Sequence, residues 1–367
     1  MKLSESSYAW MLAVLSAVAG ILLSSAVIRG VLSFVDFLSD DSSDFEYTDI
    51  YKKVAERSSV ETLCDDVVVV SVDGCSRKQI ADVIDAVAFM SPAAVGLDLF
   101  FPYPSEDGEY LVSAIDGCDD LVLPVAVGLE GSRSFFDGNV DAEYAAVNMI
   151  SSTSFDIVRD YSTVFHDDSV DYVSMAYALV RKAGYEAEPM DGILRDIWYP
   201  SVEFDVVEAG EIVGEDGFPY PEVMDRIRDK IVLVGVVDDP ADTHRTPIDD
   251  QMPGIMIHAH IIDTMIHDRN INDVSGFWNF VIAFVVCVLF MRLAVFMKEV
   301  WDDAGEMVMS VAQLLMMYLF LVAGANLYIN HKIFVDFSLT VVVIGVSQVV
   351  MSIVRGAIYL YSKYSKK

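Results

Sequence analysis

Residues 230–268 read KIVLVGVVDDPADTHRTPIDDQMPGIMIHAHIIDTMIHD. The run 231–237 is short, continuous and β-branched, the composition of a strand buried on both faces. Residues 238–251 form a polar loop with five Asp, one His and one Arg. Pro253-Gly254 then opens a helix toward Asp268. The next long apolar run begins at Gly276, only a few residues later. A doubly buried strand implies a parallel sheet covered by helices, so this stretch sets the fold class as α/β.

Working upstream, Val67–Val72 (VVVVSV) is a second buried strand. It closes on Asp73-Gly74, a turn pair. Ser76 and Gln79 have the spacing of a capping box, and the helix they open carries Ile80, Val83, Ile84 and Val87 on one face. Further strands are expected at 94–100 (AVGLDLF) and 121–127 (LVLPVAV), with a short helix at 108–116 between them. The β-α-β-α-β order predicts right-handed crossovers and a mostly parallel sheet. The segment 130–165 reads as strands and loops. A helix is expected over 169–182, capped by Asp168 or Ser169 and ended by Gly184. Two short strands are expected around Pro200, a short helix near 45–57, and another at 221–229 feeding the strand at 231.

Working outward again, the 367-residue chain has a mean hydropathy of +0.41, and its apolar residues are segregated. Four runs approach or exceed the ~20 residues a membrane-spanning helix needs, at 8–28, 276–297, 307–329 and 333–354. Residues 36–273 between the first two are polar and globular. They carry 15 basic and 50 acidic residues, a net charge of −35. That charge argues against nucleic acid as a partner and suits a solvated surface, a cation or a basic docking partner.

Lys2, Arg292, Lys298, Arg355, Lys363, Lys366 and Lys367 fall on one side of the spans, and Arg29 and Lys332 on the other. The positive-inside rule then sets the short N-terminus (1–7) and the basic tail (355–367) in the cytoplasm, with 36–273 extracytoplasmic. A bacterial-type inner membrane is the expected location. The first run reads as a retained anchor, because its apolar core exceeds the ~7–15 residues of a signal h-region. The three residues 330–332 between the last two spans predict a tight helical hairpin.

Several residues carry candidate chemistry. Asp73, Asp98, Asp238 and Asp239 follow or end strands. Ligands of open parallel sheets bind beyond the strands' carboxyl ends, so these four are candidates for a divalent cation such as Ca²⁺ or Mg²⁺. The plain alternative is that each caps a helix or closes a turn. No other cofactor is implied. Asp242, Arg245, Thr246, Gly254 and His258 form a second set, with His244 among them. Arg245 and a helix N-terminus at Gly254 suit an anion, or an Arg–Asp pair merely orders the loop. Asp73, Asp98 and His258 also invite a hydrolase reading, yet there is no nucleophile elbow and no HExxH, so no enzyme is expected.

Cys287 lies in a span, and Cys64, Cys75 and Cys118 lie in the domain. Cys64 and Cys118 each precede a strand by three residues, so they are a disulfide candidate if those strands are neighbours. No CxxC occurs, and the scattered cysteines give no zinc signature.

The order VVVVSVDGCS, AVGLDLFF, AAVNMISSTSFDIVRDY and KIVLVGVVDDPADTHRTPIDDQMPGIMIHAH resembles the second type of CHASE domain, the cyclase/histidine-kinase-associated sensory extracellular family. The resemblance covers about 60–270. Its most specific part is Thr246-Pro247, Pro253-Gly254 and His258-Ala259. It implies a sensory domain with one span before and three after it, and usually a cytoplasmic output domain. Residues 355–367 are too few to fold as one. The expectation is therefore a sensor that signals or scaffolds through a separate membrane or envelope protein, with homo-oligomerisation open. A structural subunit using its acidic domain for docking is the alternative.

Overall fold

The computed structural model describes residues 5–38, 47–128, 134–151, 156–167, 170–214 and 219–364. The chain divides into two compact units, Lys52–Asn270 and Met1–Tyr51 with Ile271–Lys367. In chain order, α1 (Glu5–Leu38) and α2 (Tyr47–Ser58) come first. The domain continues with β1 (Thr62–Ser71), α3 (Arg77–Phe89), β2 (Ala94–Asp98), α4 (Gly108–Asp116), β3 (Leu121–Val125) and β4 (Glu143–Ala146). Short strands β5 (Ile150–Ser151), β6 (Val158–Tyr161), β7 (Val164–His166) and β8 (Asp171–Val173) precede α5 (Met175–Lys182) and β9 (Arg195–Asp196). Then come β10 (Val202–Glu208), α6 (Ala209–Ile212), α7 (Pro221–Ile227) and β11 (Ile231–Gly235). The hairpin strands β12 (Thr243–His244) and β13 (Met252–Pro253) lead into α8 (Gly254–Ile266).

The central sheet has six strands in the order β10-β1-β11-β2-β3-β4. Every neighbouring pair is parallel. Alternation divides its side chains between two layers of helix. Val68, Val70, Val95, Leu97, Val232 and Val234 pack with residues of α3, α4 and α7. Val67, Val69, Ala94, Ile231 and Leu233 pack with residues of α5 and α8. Ser76 caps α3 with Gln79 reciprocating, as the spacing predicts.

Two expectations fail here. Asp168 and Ser169 lie outside the described residues, and the helix expected from 169 begins only at Met175. Ser174 caps it by accepting from the Tyr177 amide at 3.2 Å. The preceding Asp171–Val173 is instead a strand paired with β7, so its Val and Tyr serve a hairpin rather than a helix. The disulfide candidate fails too. Strands β11 and β2 separate β1 from β3, and Cys64 and Cys118 belong to the cores on opposite faces of the sheet. All four cysteines are free thiols.

The second unit contains α1, β14 (Asn272–Asp273), α9 (Gly276–His331), β15 (Ile333–Phe334) and α10 (Ser338–Tyr364). Four segments are long and apolar enough to span a bilayer: Ser6–Ser24, Gly276–Trp301, Ala304–His331 and Ser338–Tyr361. The chain is a multi-pass membrane protein. Two spans share one continuous helical pattern, α9, where a break between 297 and 307 is expected. The helix nevertheless turns back on itself: Lys298 pairs with Glu306, and a side chain at Gly305 would meet the Met297 carbonyl. The last two spans run antiparallel. Gln348 Nε2 donates to Ser310 Oγ at 2.9 Å, and Gln313 donates to the Gly345 carbonyl. Lys332, at φ +54°, ends α9 in the left-handed conformation, and Asp336 caps α10 through the Ser338 amide.

Candidate functional site

Ser71, Gly235 and Asp98 are paired across the ends of β1, β11 and β2. This register puts the loops after the central strands side by side. They surround a cavity of about 510 Å³, lined among others by Asp98, Asn148, Asp242, His244, Gly254 and His258. Asn148 fixes one wall: its side chain accepts from the Val127 amide and donates to the Val127 carbonyl.

The polar groups of the cavity perturb one another. Asp98 is withdrawn from water and faces Asp242, which together push its carboxyl up to about 7, against a smaller pull from His244. His258 is 2% exposed. Burial pushes its imidazole down to about 4, against the charge of Asp242. One hydrogen bond ties His258 to the Val147 backbone, but Nδ1 has no partner. A buried nitrogen without a partner costs free energy unless a ligand or water completes it. Asp242 Oδ1 lies 3.4 Å from His244 Nε2.

The four carboxylates expected to share a cation are not gathered. Asp98 and Asp239 line the cavity, whereas Asp73 and Asp238 do not. Asp73 accepts from Ser71 Oγ at 2.8 Å and from the amides of Val237 and Asp238, tying the turn after β1 to the loop after β11. Asp239 accepts from the Ala241 amide and caps the 3₁₀ turn Pro240–Asp242. The plain turn-and-cap reading therefore holds for Asp73 and Asp239. With Asp73 occupied in this way, Asp73, Asp98 and His258 do not assemble a hydrolase-like trio either.

Arg245 and the start of α8 do not share a site. Arg245 lines a neighbouring open recess of about 1170 Å³ with Asp156, Asp249 and Asp250, which shares Met149 and His244 with the first cavity. Its carbonyl accepts from the Val158 amide. Thr246 is buried, and its hydroxyl and amide bracket Asp249, which closes the turn between β12 and β13. At α8, the Asp242 carboxylate already occupies the helix start: a Cβ on Gly254 would lie 2.8 Å from Asp242 Oδ2. A second anion would meet this charge, so the cavity suits a cationic or hydrogen-bond-donating ligand.

A family model for the CHASE2 domain matches residues 53–294. The chain belongs to the CHASE2 domain family. CHASE2 domains are sensory extracellular domains, and a sensory role follows for this one. The match runs from the middle of α2 through the domain and into the first span of α9. No curated protein and no solved structure matches the chain.

Within the CHASE2 domain, Gly254→Leu is expected to cost about 1–3 kcal/mol, the usual range for forcing atoms into filled space. The new side chain must displace Asp242 from the α8 start. Hydrogen exchange of the β11 amides in the full chain, in nanodiscs, reads this directly. Exchange unchanged from wild type would mean that Asp242 moves aside at no cost. Asn148 and the orphaned His258 nitrogen are site features that sequence reading misses. Asn148 lies in a weakly patterned segment, and hydrogen-bond satisfaction is a property of three-dimensional placement.

Proposed function

We propose that this CHASE2 protein is an extracytoplasmic sensor in a bacterial-type inner membrane, occupied by a small polar ligand in the cavity bounded by Asp98 and His258. The observation that carries the reading is the position of that cavity. It lies beyond the carboxyl ends of β2, β3 and β11, where open parallel sheets bind ligands, and it contains a buried nitrogen still lacking a hydrogen bond. In this reading 36–273 face outward, and the ends 1–7 and 355–367 face the cytoplasm. The seven-to-two asymmetry of basic residues supports this orientation. Ligand contact with Asp242 and Gly254 acts at the start of α8, and α8 leads by a short link into the span at Gly276.

The signal passes to a separate membrane or envelope protein. Mild solubilisation of native membranes, co-purification and mass spectrometry test this for wild type and for His258→Gln. The sensor reading expects a stoichiometric partner whose retention changes in the variant. Retention of an assembly identical in both would favour the docking-subunit reading, which the −35 charge of 36–273 supports. Absence of any stoichiometric partner would sink both.

A further inference from the structure

We propose that Cys64, Asp263 and His267 form a transition-metal site, of the kind that takes Zn²⁺, joining the start of β1 to the last turn of α8. A carboxylate oxygen, a ring nitrogen and the thiol sulfur of these residues lie within 4.8 Å of one another, the only such group of three among the described residues. Asp263 and His267 are four apart, so the helix presents both on one face. Cys64 reaches them from β1, just ahead of the irregularity in its pairing with β10.

A second observation concerns Asp263 itself. It is the one carboxylate in an otherwise apolar stretch of α8, and its exposure is 0%. His267 Nδ1 lies 3.0 Å from Oδ1 and Arg269 Nη1 lies 3.2 Å from Oδ2. Yet neither oxygen has a hydrogen bond of acceptable geometry. A buried carboxylate whose nearest partners are ion-pair contacts without well-aligned hydrogen bonds is costly. An ion at the point where sulfur, oxygen and nitrogen converge would use the lone pairs that hydrogen bonds leave idle.

The surroundings have the form of a metal site's outer layer. Asp66 Oδ2 lies 3.3 Å from His267 Nε2, the carboxylate that fixes the tautomer in which Nδ1 is free to ligate. Tyr185 in turn donates to Asp66 Oδ1 at 2.8 Å. Arg269 holds Asp263 through Oδ2. Water would complete four ligands. A thiolate–imidazole–carboxylate set selects Zn²⁺ and its neighbours over Ca²⁺ or Mg²⁺. Binding displaces the Cys64 proton to solvent. Because that proton must leave, affinity falls as pH falls.

The test uses the full chain in detergent, with Zn²⁺ titrated against a chromophoric chelator and Co²⁺ as the optical probe. The expected result is one tight equivalent and a thiolate-to-Co²⁺ charge-transfer band. Cys64→Ser should abolish the band, while Cys75→Ser should keep it. His267 is partly exposed, so His267→Ala should fold, with unchanged exchange at β11, and bind Zn²⁺ at least about 10-fold more weakly; Asp66→Asn should also weaken binding, by about 10-fold or more. Failure of the wild-type chain to compete for one equivalent would overturn the proposal. So would a band that survives Cys64→Ser, or wild-type affinity in His267→Ala. The three side chains would then pack together with no metal between them.

Discussion

Asp98→Asn is expected to stabilise the domain at pH 8 by about 1–3 kcal/mol and to leave it nearly unchanged at pH 5. Asp98 ends β2, partly shielded from water and facing Asp242, and its carboxyl titrates near 7 rather than its ordinary 3.8. The folded state therefore binds more protons than the unfolded chain between about 4 and 7. Stability from this group is greatest below that window and declines as pH rises through it. A shift of this size corresponds to about 4 kcal/mol at 1.36 kcal/mol per unit, reduced here because the side chain keeps some contact with water. Asn has the same shape and no charge. The readout is hydrogen exchange of the β11 amides in the full chain at both pH values. An Asn variant no more protected than wild type at pH 8 would show that Asp98 carries its charge without cost. The expected gain also explains the residue: a destabilising carboxylate in a cavity is more easily understood as serving a ligand than as serving the fold.

Acidification is expected to unfold the domain through the opposite linkage at two histidines. Burial pushes His258 down to about 4 and His260 to about 3, against an ordinary 6.5. Below 6.5 the unfolded chain binds protons that these folded imidazoles refuse, so stability is full above 6.5 and is lost as pH falls toward 3. Each residue accounts for about 2–4 kcal/mol of that loss, a large share of a typical domain's 5–15 kcal/mol. Asp98 runs against this trend between 4 and 7, so Asp98→Asn should steepen the acid limb. His260 sits edge-on to Tyr199 and Phe204, with ring centroids 5.0 and 4.9 Å away. His260→Phe preserves that packing, removes the proton-binding site and gives up a bond to the Trp198 backbone. The acid midpoint, followed by exchange at β11, should fall by roughly half a pH unit or more. A midpoint equal to or above that of wild type would count against the histidine account.

The fold was legible where burial repeats with a simple period. Val67–Val70 and Ile231–Val234 are apolar at every position because helices cover both faces of the sheet, and Ser76 and Gln79 marked a helix start by capping alone. Strand order was not legible. Nothing local in β11 says that it inserts between β1 and β2, and β11 and β2 together separate the strand of Cys64 from the strand after Cys118. The helix expected at 169–182 starts late, at Met175, for a related reason: the alternation in DYV serves a hairpin with β7, a partner that periodicity cannot name.

The candidate site was legible by position only. The rule that ligands lie beyond strand ends identified Asp98, and the loop after β11 supplied Asp242, Gly254 and His258. It could not tell that Asp73 spends its oxygens on Ser71, Val237 and Asp238, because those bonds depend on the register of β1 with β11. Asp263 did offer a signal. A lone carboxylate inside an apolar helix, four residues before a histidine, is a recognisable anomaly, and Cys64 completes it only through the sheet.

Accessibility of the cavity from outside the membrane is the most direct test of the sensor reading. His244→Cys, at a half-exposed position in the cavity lining, is placed in a chain whose four native cysteines are replaced by serine. Sealed spheroplasts are treated with a membrane-impermeant maleimide, with Tyr364→Cys as the opposite-side control. The account predicts that position 244 is labelled before permeabilisation and position 364 only after it. Labelling of 364 with 244 spared until the membrane is opened would contradict it.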